Sequence, residues 1–195
     1  MSVTARVPPR AIDEIDGPTL VAAQRGERWA RRALVEAYQG RVHALAFRML
    51  ASAGRRNLAE DLVQEAFLRV FRSLPRFSPT GAARLSTWIL TIATRAVVDE
   101  LRRRRLPQSS LSVVDEVPGG ERPDRHSERA SIGRAIAQAT ASLSPEVRAA
   151  FVLRAYHDMG MAEIARALDV EVGTVKSRLW RARKALQQHL WEVWP

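Results

Sequence analysis

The sequence predicts an all-α protein of two helical domains joined by a flexible linker. Apolar residues recur three or four apart along most of the chain, the spacing of one buried helix face. No alternation of strand type persists over any segment. One stretch, PQSSLSVVDEVPGGERPDR from Pro107, is rich in Pro, Gly, Ser and charge and divides the two halves. The expected layout is a flexible tail at 1–17, a first domain at 18–106, a linker at 107–127 and a second domain at 128–195.

In the first domain, Leu20, Ala23, Trp29, Ala33, Leu34, Ala37 and Tyr38 form one helical run, and Val42 to Leu50 a second run after Gly40. ASAGRRN at 51–57 breaks the pattern. DLVQEAFLRVF, Asp61 to Phe71, is the third helix, stopped near Pro75. Ser86 is read as the N-cap of a helix from Thr87 to about Arg104. After the linker, Ile132, Ile136, Ala139 and Leu143 mark one helix. Ser144 and Pro145 start the next, as N-cap and first helical residue. Two more run from Met161 to Leu168 and from Thr174, itself read as a cap, to Leu190.

Of the 195 residues, 46% are hydrophobic, enough for a core. The net charge is +10, and nearly all the basic excess is arginine, with lysine at 176 and 184 alone. Such a balance points to a polyanion, most often nucleic acid, although a GC-rich genome would also favour arginine. The absence of cysteine excludes disulfides, thiolate metal sites and thiol redox sensing. His43, His126, His157 and His189 are scattered, and no metal or cofactor is implied. No nucleophile motif, paired carboxylates or phosphate-cradling glycine loop suggests catalysis. The N-terminus lacks a signal-peptide apolar run, and no segment suits membrane insertion, so a cytoplasmic place is expected.

MAEIARALDVEVGTVKSRLWRARKAL is a helix-turn-helix pattern. Ile164, Ala165 and Leu168 form its inner face, and Val170 and Val175 plug the corner. Its second helix suits the major groove. Lys176 and Arg178 are placed to reach bases or phosphates first, with Arg181 and Lys184 further along on the backbone. In the first domain, Trp88, Thr91, Thr94 and Arg95 precede the arginine run 102–105. That combination suits unpaired nucleic acid, although Trp88 also reads as a core residue and the arginines as a complement to the helix dipole. Asp61, Gln64, Glu65, Leu68 and Arg72 share one side of the third helix. An acidic face would repel nucleic acid, so it is expected to meet a basic protein; local pairing with Arg69 is the plainer account.

In this order, DLVQEAFLRVFRSLPRF, STWILTIATRAVVDELRRRR and LSPEVRAAFVLRAYHDMGMAEIARALDVEVGTVKSRLWRARKAL resemble the extracytoplasmic-function (ECF, group IV) sigma factors of bacterial RNA polymerase, in the sigma-70 family. The resemblance implies a sigma-2-like domain whose Asp61, Gln64, Glu65, Leu68 and Arg72 dock the beta-prime clamp helices of core polymerase. It implies minus-10 recognition and melting by Arg84, Ser86, Thr87, Trp88, Thr91, Thr94, Arg95, Asp99, Arg102 and Arg103. It implies a sigma-4-like domain that rests on the beta flap and reads the minus-35 element with Thr174, Lys176, Ser177, Arg178, Arg181, Arg183 and Lys184. An anti-sigma factor is the implied inhibitor. The family often has asparagine where Arg95 stands, so a phosphate contact and a different minus-10 preference are expected there. Met161 replaces a usual Ser or Thr, so the helix-turn-helix start is expected to be capped differently. The competing readings are a stand-alone LuxR-like helix-turn-helix regulator and a nucleic-acid-processing enzyme; the second lacks its nucleophile or acid cluster.

Overall fold

Asp16 starts the first helix: its carboxylate accepts the Thr19 amide at 2.7 Å, and Pro18 occupies the first turn. The computed structural model describes residues 14–81, 83–103 and 136–191. The expected linker, residues 1–13 and the arginines at 104–105 lie outside them. The regular elements are α1 (Gly17–Gln24), α2 (Arg28–Ala51), α3 (Ala59–Ser73), α4 (Leu85–Arg103), α5 (residues 136–141), α6 (Pro145–His157), α7 (Met161–Leu168) and α8 (Val172–Trp191), with 3₁₀ turns at Arg56–Leu58 and Leu74–Arg76. All regular structure among the described residues is helical.

Several helix boundaries differ from the sequence expectation. The two runs read on either side of Gly40 are one helix, α2. Gly40 keeps helical geometry at an exposed position, and the break falls earlier, at Gly26, whose φ of +92° suits glycine. Helix α4 starts at Leu85, so Ser86 lies inside its first turn and not at the cap. The Ser86 hydroxyl donates to Glu14 at 2.6 Å, and Tyr38 donates to the same carboxylate at 3.4 Å. The end of the expected tail is thereby held against α2 and α4. Burial, then the neighbouring Glu14 charge, raises the Tyr38 phenol to about 12. Likewise α8 starts at Val172, two residues before Thr174, which sits in its first turn. The start at Ser144 and Pro145 stands as expected, with the hydroxyl accepting the Val147 amide.

Helices α2, α3 and α4 pack around Leu34, Tyr38, Leu45, Met49, Val70 and Ile89, all essentially without solvent exposure. The core continues into α6 and α7 through Val152, Leu153, Met159 and Ile164. Helix α4 lies against α7 and α6, and α2 against α6. A smaller cluster of Leu143, Val147 and Ala182 joins α6 to α8. The α6 and α7 helices both end on a left-handed aspartate, Asp158 at φ 52° and Asp169 at φ 53°. Aspartate tolerates that conformation better than most residues, and the reversed chain then returns amides to the last turns.

Arg148 is the buried charge of this arrangement, at 4% exposure. Its guanidinium donates to the carbonyls of Thr140 (3.0 Å), Ala141 (3.1 Å), Leu143 (3.1 Å) and Met49 (2.8 Å). Three acceptors lie at the end of α5 and the turn after it, and the fourth lies in the last turn of α2. Helix ends leave such carbonyls without partners. Arg148→Met is expected to destabilise the chain by about 3 kcal/mol or more, because it strands buried acceptors. Arg148→Lys is expected to recover only part, since one ammonium cannot span that fan of acceptors. Urea unfolding followed by circular dichroism measures both.

His157, at the end of α6, is 8% exposed, and neither ring nitrogen has a hydrogen-bond partner among the described residues. Burial, then repulsion from Arg41 and Arg48, lowers its pKa from 6.5 to about 4. A base whose folded pKa is depressed costs nothing above its unfolded pKa and destabilises as pH falls below it. His157 is therefore expected to withdraw about 3 kcal/mol between pH 6.5 and 4. In His157→Leu, the fall in unfolding free energy over that window should be shallower by about that amount.

Candidate partner-binding and nucleic-acid surfaces

The first surface is the outer side of α3. Its apolar side, with Ala66, Phe67 and Val70, is buried against the bundle. The spacing that buries those residues turns Asp61, Gln64, Leu68 and Arg72 outward, with Leu68 at 51% exposure. Glu65 is half-buried and accepts from Arg69 Nε at 2.8 Å. That hydrogen bond holds its carboxyl below the usual range. Arg69 also reaches Asp99 of α4 at 3.6 Å. The expected local pairing exists, therefore, yet it leaves Asp61, Gln64 and Leu68 outward. An open cleft of about 480 Å³ runs beside this face, lined by Asp61, Glu65, Arg69, Glu100 and Arg103 among others.

The second surface is α4. Thr87, Thr91, Thr94, Arg95 and Arg102 fall within one stripe, by their spacing of three, four and seven residues. Thr91 and Thr94 turn their hydroxyls back to the carbonyls of Thr87 (2.8 Å) and Leu90 (2.7 Å). Ser86, Thr87 and Thr94 are buried. Trp88 is half-buried, its ring 4.9 Å from that of Phe77, so it packs as the plainer reading held. Arg84, Arg102 and Arg103 are exposed.

The stripe meets the second half of the chain at three places. The Thr87 hydroxyl donates to Glu163 at 3.2 Å. Arg95 donates to the carbonyls of Ala167 and Arg166, each at 2.9 Å. Arg102 pairs with Glu146 at 2.7 Å. Burial pushes the Glu146 carboxyl up, but the hydrogen bonds and charge around it, led by Arg102, outweigh this and hold it low. Glu163 also accepts the Gly160 amide at 2.7 Å, which caps α7 where Met161 replaces the expected hydroxyl residue.

The third surface is α8. Ile164, Ala165 and Val175 are buried at the corner of the helix-turn-helix, and Val170 is half-buried there. Lys176, Ser177, Arg181, Arg183 and Lys184 are exposed; Thr174 is half-buried. Arg178 is half-buried on the flank facing Glu146 and Arg102. Sequence reasoning passed over Trp180, which is 61% exposed between Lys176 and Lys184, with the Lys184 ammonium 5.4 Å from its ring centroid. The signal was available: a tryptophan four residues after Lys176 on a helix whose apolar stripe is already filled by Leu179, Ala182 and Leu186.

Among the described residues no group of three potential metal ligands comes together, and no helix is long and apolar enough to cross a membrane. The chain resembles known proteins in both sequence and fold. Residues 34–106 match the family model for Sigma-70 region 2, and residues 133–186 match that for Sigma-70 region 4. The chain is 36% identical over 160 residues to the ECF RNA polymerase sigma factor SigE of Mycolicibacterium smegmatis, covering 80% of this chain and 60% of that protein. It is 31% identical over 187 residues to the RNA polymerase sigma-H factor of Pseudomonas aeruginosa, covering 91% and 94%. The fold resembles that of the sigma factor RpoE in its complex with the anti-sigma factor NepR from Bartonella quintana, with TM-score 0.62 and 21% identity over 82% of this chain and 95% of that one. The chain belongs to the ECF sigma factors of the sigma-70 family.

Proposed function

We propose that this chain binds core RNA polymerase and directs promoter-specific initiation, without catalysing a reaction itself, in the cytoplasm. The observation that carries the reading is the outward acidic and amide face of α3 in a chain of net charge +10. Asp61, Gln64, Glu65, Leu68 and Arg72 dock a basic helical surface, the beta-prime clamp helices. The α4 stripe with Arg84, Trp88 and Arg103 takes the minus-10 element, where contacts to unstacked bases offset the cost of melting. The α8 face takes the minus-35 element in the major groove, with Trp180 added to the residues read from sequence. The two domains are assigned to 18–106 and 128–195, with the second resting on the beta flap.

The stand-alone regulator reading is supported by the helix-turn-helix alone. It gives the α3 face and the α4 stripe nothing to do. Runoff transcription with bacterial core polymerase on a genomic promoter library separates the two. The wild-type chain is expected to give discrete start sites, and Asp61→Arg/Glu65→Arg to lose them while still folding. If neither chain directs initiation but the wild type alone shifts specific DNA, the regulator reading replaces this one. On the selected promoters, Arg178→Ala is expected to change minus-35 preference. Arg183→Ala or Lys184→Ala should weaken all promoters alike and lower the salt slope by about 1.

The same reading includes an anti-sigma partner that covers the α3 face and α8. The relative RpoE bound to NepR supports it. Purification from the native cell is expected to bring an inhibitor along; full activity under every condition with none would count against it.

A further inference from the structure

We infer that the junction of α2, α5 and α6 is a binding site for a small aromatic carboxylate, one planar ring bearing one negative charge. It goes beyond the promoter reading and does not depend on it. The junction holds a cavity of about 190 Å³, open to solvent. Three rings line it, Phe47 of α2 and Phe151 and Tyr156 of α6. Phe47 and Tyr156 remain 40% and 46% exposed, so the chain's own core leaves much of each ring unused. A guanidinium lies over each of them: Arg56 is 5.4 Å from the Phe47 centroid, and Arg48 is 4.3 Å from that of Tyr156.

No acidic residue is among those lining the cavity. Arg48 donates to the Ala44 carbonyl at 3.1 Å, and neither arginine pairs with a carboxylate among the described residues. The lining hydroxyls are already committed as donors: Ser52 donates to the Arg48 carbonyl at 2.9 Å and Thr140 to the Ile136 carbonyl at 2.8 Å. The guanidiniums are therefore the side-chain donors left for a ligand. The field at this end of the fold is positive as well. His157, which follows Tyr156, is held neutral by burial and then by Arg41 and Arg48, and charges that oppose a proton there favour an anion. A guanidinium grips a carboxylate through two parallel hydrogen bonds while its face rests on a ring. A cavity of about 150 Å³ takes benzene. The one here, at about 190 Å³, takes a ring with a small substituent and is too small to enclose a nucleotide. A ligand in it touches α2 on one side and α5 and α6 on the other, so it binds the packed chain and stabilises it.

Benzoate is the probe. Acetate, benzamide and cyclohexanecarboxylate remove the ring, the charge and the planarity in turn. In amide NMR titrations of the isotope-labelled full chain, benzoate is expected to give saturable shifts at Ala51, Ser52, Ala137 and Thr140. Each control should bind weaker by about fivefold or more. Arg48→Gln and Arg56→Gln should each weaken benzoate by about tenfold, and Phe47→Leu by about fivefold. Arg32→Gln, on the outer face of α2 and away from the cavity, should leave the affinity unchanged. Arg56 and Phe47 are exposed, so their variants keep the fold, which circular dichroism checks. Benzoate should also raise the Tm of the wild type but not that of Arg56→Gln. Acetate binding as tightly as benzoate would report charge alone and overturn the inference. So would wild-type affinity in both Arg56→Gln and Phe47→Leu, or the absence of a saturable shift.

Discussion

An all-helical chain must find donors for the carbonyls at the end of every helix, and in this protein arginine supplies them where two helix ends meet across the fold. Arg148 gathers three carbonyls from α5 and its following turn and a fourth from α2. Its burial is tolerable because five N–H donors in a planar fork can satisfy several acceptors at once. Without it, the end of α5 would present unpaired carbonyls to the buried side of α6, and α2 would lose a polar tie to the second domain. The continuous apolar core from Met49 to Leu153 depends on those ends approaching closely.

The same constraint explains why the protein is one packed body despite a sequence that divides in two. The second domain has a small core of its own, with Leu143, Val147 and Ala182 joining α6 to α8. Much of the remaining apolar surface of α6 and α7 is buried within the cluster that also holds α2 and α4. Apolar burial draws the domains together without regard to direction. The ion pair of Arg102 with Glu146 and the bonds of Arg95 and Thr87 fix how they face each other. Exposed ion pairs add little stability in water, so their role is to choose orientation, while the core supplies attraction.

The sequence carried most of the helices well, because each rests on local spacing. The caps at Ser144 and Pro145, the filled corner of Ile164 and Val175, and the outward set on α3 were all legible from residues a few positions apart. The misses have a common cause. Gly40 reads as a break, but the packing of Tyr38 and Val42 carries α2 through it at the modest cost of one helical glycine. Ser86 and Thr174 read as caps by residue type, but both helices begin earlier, and Ser86 finds its partner 72 residues away at Glu14. The bonds of Arg95 to the carbonyls of Arg166 and Ala167, 71 and 72 residues on, are likewise announced by no local pattern. Contacts at that separation are set by the tertiary fold and leave no periodic trace.

A guanidinium that serves a helix terminus can also serve a phosphate, and this gives the arginine-rich composition a physical use beyond net charge. The end of α7 offers Arg95 two carbonyls bearing a fraction of a charge, whereas a phosphodiester offers a full charge and similar oxygen geometry. Phosphate is the stronger ligand once both are within reach. Arg95 stays exposed while it serves the end of α7, so its orientation is fixed by those carbonyls before any other acceptor arrives.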